Sequence, residues 1–296
     1  MLKLDFSVSD LNLQVNRDKT RRASISGVQD KVQLKRVRGG FSVVESNGDY
    51  ILKPVPRNTY AQLASDIPAN EALTMDIAEK VFRIKTAEHD LVEMKDGEYA
   101  YLTRRFDRRG NELVQQEDFC QLSERTIETH GENYKYDSSY EELSGLMRKF
   151  CPAAVVENPK VFFLILFNYV FANGDAHLKN FSLYRSEHGD YILTPAYDLL
   201  NTAVHFPNEP TATGLDFFAD GHFTQSYEKL GFYSSIDFIE LGAAFGVLKE
   251  EVCEMISLFS ARKDNVESMI AASYLSEEAK SRYFSKFADR LRAIAQ

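Results

Sequence analysis

The chain has 296 residues, 44% of them hydrophobic, and a formal net charge of −9. That length suffices for one large or two coupled domains with a sizeable core, and the acidic balance argues against docking of the whole molecule on a nucleic-acid backbone. Three cysteines (Cys120, Cys151 and Cys253) are odd in number, widely spaced and without a C-x-x-C pair. They argue against a disulfide framework or a zinc site and for reduced thiols in a cytoplasmic protein.

No signal peptide opens the chain, because charges are scattered through its first twenty residues. Residues 1–40 hold nine Lys/Arg against four acids, a local net of +5. This suits either a site for a phosphorylated small molecule or a solvated basic face. Within it, "RRASISGVQDKVQL" combines Gly27, small residues and Lys31 between two basic clusters, a loop whose amides can approach phosphates. One glycine is far from a G-x-G-x-x-G pattern. "FSVVESNGDYILKP" then alternates about Asn47-Gly48, a dipeptide suited to a tight hairpin turn. Lys53 ends its second strand, where a kinase keeps the lysine that grips the α- and β-phosphates, although a lysine ending a strand is commonly just solvated.

"PANEALTMDIAEKVF" (Pro68–Phe82) predicts an amphipathic helix opened by proline. Glu71 on it stands where a kinase pairs its strand lysine; solvent exposure is the commoner fate of such a glutamate. "LVEMKDGEYAYLTRRF" alternates about Asp96-Gly97 as a second hairpin. Residues 1–103 thus read as a small mixed lobe, with a hinge near Thr103–Phe106. From residue 104 to 296 helical patterns dominate, over 117–124, 140–150, 159–172, 236–245, 249–261 and 276–295. The run "VFFLILFNYVFA" is too short to span a bilayer and reads as a buried core helix. "FTQSYEKLGFY" and the C-terminal helix read as scaffold. The architecture expected is α+β and two-lobed, a small mixed lobe followed by a mainly helical one.

One hairpin, "NFSLYRSEHGDYILTPAYD", interrupts the helices. Its strands, Phe181–Arg185 and Tyr191–Pro195, lie ~5 Å apart if antiparallel, which brings Asn180 and Asp198 together at its mouth. Asp175, on the loop entering the hairpin, stands beside them. An amide and a carboxylate offer oxygen ligands to a hard divalent cation, with a second carboxylate to spare. Asp175-x-x-x-x-Asn180 is also the spacing of the protein-kinase catalytic loop, where the aspartate receives the substrate hydroxyl's proton and the asparagine holds magnesium. The bland alternative is that "NGD" is only a turn and that His177 merely packs or caps.

Taken together, "SISGVQDK", "ILKP", "RRFDRRG", "QEDFCQ", "NGDAHLKNFSLY" and "LTPAYDLLNT" resemble, in order, the motifs of the HipA-like toxin serine/threonine kinases of bacterial toxin–antitoxin systems. The resemblance covers residues 24 to 202. It implies a two-lobed, protein-kinase-like (HipA-like) α+β fold and transfer of the ATP γ-phosphate to a protein serine, with Asp175 as catalytic aspartate and Asn180 and Asp198 as Mg2+ ligands. It further implies nucleotide contacts from Lys53, Gln116 and His177, and a hinge at Arg104–Phe106. The loop Ser26–Lys31 (Ser26, Gly27, Val28, Gln29 and Lys31 among its members) would cover the phosphates. Family members phosphorylate themselves on a serine of that loop, matching Ser24 or Ser26 here. The Ser-x-Ser form and the short N-terminus resemble the HipT branch, in which a separate small protein supplies the N-terminal subdomain. Implied partners are small antitoxins of the same operon and, as substrate, an aminoacyl-tRNA synthetase. No direct nucleic-acid or membrane binding is expected. Action in the bacterial cytoplasm is expected, with export to a host cell as the alternative. Two departures stand out: Arg104 replaces the acid common at the hinge, and "YDLLN" replaces D-F-G.

Two rival readings remain at this point. "GDAH" (Gly174–His177) matches the opening of a metallophosphoesterase site, but the further ligands of such a site are missing from the sequence. A pseudokinase that binds nucleotide and acts as an interaction module is the other.

Overall fold

A computed structural model describes residues 1–11, 30–57, 59–109, 112–208 and 212–296. The first third is built on a six-stranded sheet in the order β1-β5-β6-β4-β2-β3. Its strands are β1 (Leu2–Lys3), β2 (Val32–Val37), β3 (Gly40–Val44), β4 (Tyr50–Lys53), β5 (His89–Glu93) and β6 (Tyr99–Arg104). All neighbours are antiparallel except β1, which runs parallel to β5. Alternation sorts the side chains. Leu34, Leu52 and Leu102 pack on one face with Leu4, Val8 and Val92. The other face receives α1 (Ile67–Lys80), which has Pro68 in its first turn as expected.

Helix α1 is buried along most of its length, and a single apolar cluster runs from its Leu73 and Ile77 through Tyr101 to Phe171, Phe259 and Phe287 of the helical part. Sheet and helices are therefore joined through α1. Two short strands follow, β7 (Arg108–Arg109) and β8 (Glu112–Leu113). The three-stranded sheet β11-β10-β9 comes next, from β9 (Gln116–Asp118), β10 (Ser182–Arg185) and β11 (Tyr191–Leu193). The hairpin is the expected one; its third strand is not. Residues 117–124 were expected to be one helix, yet Gln116–Asp118 pair antiparallel with β10, leaving only the short α2 (Phe119–Leu122), capped where Asp118 accepts the Gln121 amide at 2.9 Å. Polar residues on a three-residue edge strand carry no periodic signal.

The remaining helices are α3 (Ile127–His130), α4 (Tyr140–Phe150), α5 (Ala154–Val170), α6 (Gln225–Leu230), α7 (Ser235–Ala244), α8 (Lys249–Ala261), α9 (Lys263–Ala272) and α10 (Glu277–Ile294). Helices α4 and α8 match the sequence periodicity to the residue. Helix α5 begins a turn earlier than Pro159 suggested. Proline removes the hydrogen bond to the carbonyl four residues back, and here that residue is Val155, 90% exposed and able to bond water instead. Helix α9 was not anticipated; only Val266 and Ile270 are buried along it, too few to mark a stripe. Among the described residues no helix is long and apolar enough to cross a membrane.

A close backbone approach fixes the loop that carries Asp175. A Cβ at Gly214 would stand 2.4 Å from the carbonyl carbon of Ala176, and the Tyr140 hydroxyl donates to the Ala176 carbonyl at 3.0 Å. Gly145, inside α4, has only the Arg148 guanidinium at 4.0 Å. Gly214→Ala should thus lower the thermal midpoint, at a cost of about 1–3 kcal/mol from overpacking. Gly145→Ala should raise stability by up to ~1 kcal/mol through helix propensity. Melting curves of both variants check the opposed signs.

Candidate active site

The site begins with an interior strand. Lys53 ends β4 opposite Tyr101 of β6, and because Leu52 points to the outer core, Lys53 points to the α1 face. Its ammonium donates to Glu71 Oε1 of α1 at 2.6 Å and makes a very short ion pair with Asp198. The Tyr101 ring centre lies 5.3 Å from Lys53 Nζ. The lysine side chain is only 6% exposed, so burial works against its charge, but the two carboxylates outweigh burial and raise its pKa. One ammonium cannot compensate two buried anions equally. Burial raises the pKa of Glu71 despite the ammonium, and Asp198 adds repulsion. Burial acts on Asp198 too, but Lys53 and the nearby charge of Lys31 outweigh it and hold Asp198 below the usual carboxylate range. Asp198 is the ionised member. Its backbone is left-handed, φ 55°, a conformation that costs a non-glycine residue about 1–3 kcal/mol and is found disproportionately at functional sites.

The second half comes from the loop between α5 and β10. Asn173 is buried and ties three elements together. Its Nδ2 donates to Asn168 Oδ1 at 2.8 Å and to the Asp198 carbonyl at 3.4 Å, while its Oδ1 accepts the Asp175 amide at 3.2 Å. The Gly174 amide donates to Thr202 Oγ1 at 2.8 Å, and that hydroxyl donates to the Ala172 carbonyl at 3.0 Å. The Asp175 loop and the segment after Asp198 are thereby stitched to one another. Asp175 Oδ1 accepts the Tyr136 hydroxyl at 2.5 Å and lies 3.8 Å from His177 Nε2. Burial pushes the His177 imidazole down to about 4, so the ring is neutral at physiological pH. Among the described residues neither of its nitrogens has a hydrogen-bond partner, and neither does the buried Oδ1 of Asn180.

A buried amide oxygen with no donor among the described residues and an ionised carboxylate are both groups that suit a hard divalent cation. The residues present fit a magnesium-bound nucleotide: Asn180 and Asp198 as oxygen ligands, Lys53 as a phosphate partner.

The other anticipated residues take different places. Lys31 immediately precedes β2, and its charge is felt at Asp198, Glu71 and Lys135. Phe106 packs on Tyr184 and on Tyr197, at 6.2 and 5.6 Å between ring centres, and so backs the residue that precedes Asp198. Gln116 lies in β9 opposite Tyr184, half-buried on the same small sheet. Arg104 is opposite Tyr50 and shares the face of Leu102, away from Lys53. It pairs with Glu88 at 3.1 Å and is 55% exposed, so its side chain is not brought to the lysine. Ser24, Ser26, Gly27, Val28 and Gln29 lie outside the described residues. Glu71, for which exposure was the commoner expectation, is buried and bonded to Lys53. Tyr136, Lys135 and the bridging role of Asn173 were not foreseen. "NYKYD" has no distinguishing pattern, and Asn173 was read as a turn residue.

A relative from Haemophilus influenzae described as "Putative kinase" is 28% identical over 92% of this chain and 82% of its own length. Another from Sinorhizobium fredii, "Putative kinase Y4dM", is 29% identical over 66% of this chain, which spans about half (49%) of that protein. Among solved structures, the Shewanella oneidensis HipA in complex with HipB and operator DNA superposes with a TM-score of 0.73 at 21% identity, covering 97% of this chain and 69% of that one. The Helicobacter pylori proinflammatory kinase CtkA superposes with a TM-score of 0.56 at 13% identity, covering 90% of both chains. These likenesses establish the two-part, kinase-like α+β fold. The HipA-like C-terminal domain model matches residues 23–269, and the chain belongs to that family.

Proposed function

We propose that the protein is an ATP- and magnesium-dependent serine/threonine protein kinase acting as the toxin of a bacterial toxin–antitoxin pair. The observation that carries this reading is Lys53 held between Glu71 and Asp198, beside a loop that presents Asp175 and an unpartnered Asn180 oxygen. When bound, magnesium neutralises phosphate charge; Asn180 and Asp198 are the residues to hold it. Lys53, Lys31, His177 and Gln116 contact the nucleotide, the loop Ser26–Lys31 covers its phosphates, and the hinge between 1–103 and 104–296 runs through Arg104–Phe106. At the hinge the exposed Arg104 contributes backbone rather than side chain.

Asp175 takes the proton of the incoming serine hydroxyl as the bond from that oxygen to the γ-phosphorus forms and the bond to the ADP oxygen breaks. The same carboxylate already accepts the Tyr136 hydroxyl, which orients it, and a carboxylate has acceptor sites to spare for a second hydroxyl. A neutral His177 leaves Lys53 and Lys31 as the phosphate-facing cations and does not compete with Asp175 for charge. The phosphoesterase alternative needs clustered ligands at "GDAH". Among the described residues, the group of His, Cys, Asp or Glu close enough to share a metal lies elsewhere, at Asp76, Glu79 and His89. An antitoxin partner is supported by the Shewanella neighbour's complex with HipB. An aminoacyl-tRNA synthetase substrate, met in the cytoplasm, is supported by the family resemblance.

With γ-labelled ATP and magnesium, the purified protein should transfer label to protein serine, and Asp175→Asn should reduce the rate by about 10²–10⁴-fold. Asp198→Asn should abolish magnesium-dependent transfer while the melting curve stays cooperative. Full activity in Asp175→Asn would overturn the assignment.

Mass spectrometry after incubation with ATP and magnesium should place phosphate on Ser24, Ser26 or both, and none should appear in the Asp175→Asn protein. The added charge of ~−1.5 to −2 then sits among Arg21, Arg22 and Lys31.

Stability should also carry the mark of His177. Its folded pKa of about 4 lies below the ordinary 6.5, so the unfolded chain binds a proton that the folded one excludes. Stability is complete above 6.5 and falls as pH drops toward 4. In melting curves recorded without magnesium or nucleotide, His177→Gln should flatten that slope by the equivalent of about one proton. An unchanged slope would show that the imidazole is not held neutral.

A further inference from the structure

The segment that follows Asp198 ends on a buried histidine that the reaction proposed above does not use. A single turn of 3-10 helix over Thr202–Val204 delivers His205 to a junction of several segments. The residue is fully buried, and both its backbone and its ring are held. Its carbonyl accepts the Gln62 amide at 2.9 Å, and its Nδ1 lies 2.9 Å from the Gln62 carbonyl. Arg282 of α10 fastens the same place, donating to Gln62 Oε1 at 2.7 Å and to the Val204 carbonyl at 3.2 Å.

These partners fix the state of the ring. A carbonyl only accepts, so Nδ1 carries the proton and Nε2 keeps its lone pair. Nε2 lies 2.9 Å from Asn70 Nδ2. The Asn70 amide is oriented independently of the histidine. Its Oδ1 accepts the Asn201 amide at 2.9 Å, which turns its NH2 group toward the Asn201 carbonyl, also at 2.9 Å, and toward His205. Donor meets acceptor at every contact, as buried polar groups require. Burial lowers the His205 pKa; the Gln62 carbonyl and Asp66 work against burial, and Arg282 works with it. The neutral ring is the one that the contacts need.

Both ends of this chain of contacts lead to the carboxylates on Lys53. Asn70 immediately precedes Glu71, and Asn201 stands three residues after Asp198. The residues between are not slack: Leu199 and Leu200 are buried, and Leu200 packs with Ile67 at the start of α1. The left-handed backbone of Asp198 persists only if its surroundings hold it there. We propose that His205 is a positioning residue for the kinase reaction: by accepting from Asn70 it holds the amide that sets Glu71 and Asp198 at their common lysine. The assignment rests on that reading of the site. A neutral imidazole suits the task because it offers one acceptor and one donor in fixed directions without adding a charge.

The test separates the two ring contacts. In His205→Asn the short amide still donates to the Gln62 carbonyl from near the Nδ1 position but does not reach Asn70. In His205→Gln the amide oxygen reaches the Nε2 position and still accepts from Asn70. Label transfer from γ-labelled ATP is measured against magnesium concentration. Half-saturating magnesium should rise about fivefold or more in His205→Asn, the consequence of an unsatisfied Asn70 donor. It should stay within about twofold of wild type in His205→Gln, where that donor remains satisfied. It should also be unmoved in Tyr283→Phe, which cuts the tie between Thr74 of α1 and α10. A merely structural histidine would lower the thermal midpoint of both His205 variants and shift magnesium in neither. Equal magnesium dependence in the two, with label transferred by the wild type, would overturn the inference alone; a wild type that transfers no label would overturn the kinase reading and the inference with it. Nitrogen-15 spectra of the histidine-labelled wild-type chain need no variant to fold and no catalysis. They should show His205 as the Nδ1-protonated tautomer, and an Nε2-protonated ring would overturn the assignment.

Discussion

The candidate site depends on one buried ammonium serving two carboxylates. Lys53 reaches Glu71, eighteen residues away, and Asp198, one hundred and forty-five residues away. Charges withdrawn from water are tolerated only when paired and hydrogen-bonded, so removal of any member strands the others. With a single cation for two anions, the pair is unequal: Asp198 stays ionised and Glu71 is pressed toward its neutral form. The member held ionised, Asp198, is the one proposed above as a magnesium ligand.

That arrangement requires α1 to be fixed against both parts of the fold, and its polar residues do this. Asn70 donates to the Asn201 carbonyl and accepts the Asn201 amide, both at 2.9 Å. A fully paired buried amide of this kind sets register more than it adds stability. It lies next to Glu71 in sequence and bonds three residues beyond Asp198, so one clamp positions both carboxylates. Farther along, Thr74 shares a hydrogen bond with Tyr283 of α10 at 2.8 Å. Just before the helix, Asp66 accepts the Ser276 amide and hydroxyl at 2.6 and 2.8 Å. The helix is thus a strut between the sheet, the Asp198 segment and the C-terminal helix.

Such a strut makes the gap between the two parts of the fold a place where geometry can be held while a ligand enters. The apolar cluster that runs through α1 packs the strut, and among the described residues Asn180 and His177 are two of those that keep buried polar atoms without a hydrogen-bond partner. Leaving a buried acceptor unsatisfied costs roughly 1–3 kcal/mol. His177 and Asn180, on the loop that carries Asp175, maintain that cost where a ligand would remove it.

What the amino-acid order determined by itself was whatever is encoded locally. The α4 and α8 boundaries follow from periodicity, and α4 is also marked by the Ser139–Glu142 capping pair. The hairpin between Asn180 and Asp198 follows from alternation about a turn, and its two strands pair as the alternation predicts. The spacing of Asp175 and Asn180 is likewise local. The tertiary structure alone decided which charges are buried and what faces them. Glu71 is indistinguishable in sequence from a solvated helix glutamate until β4 lays Lys53 against it. Arg104 is directed away from Lys53 by strand register. Asn173 looks like a turn residue until the Asp198 carbonyl arrives from a distant segment. Tyr136 and Lys135 gain their places only when the loop before α4 folds against Asp175. Local patterns specify backbone shape over a few residues, whereas the state of a charge depends on its surroundings, and those are assembled from segments far apart in the chain.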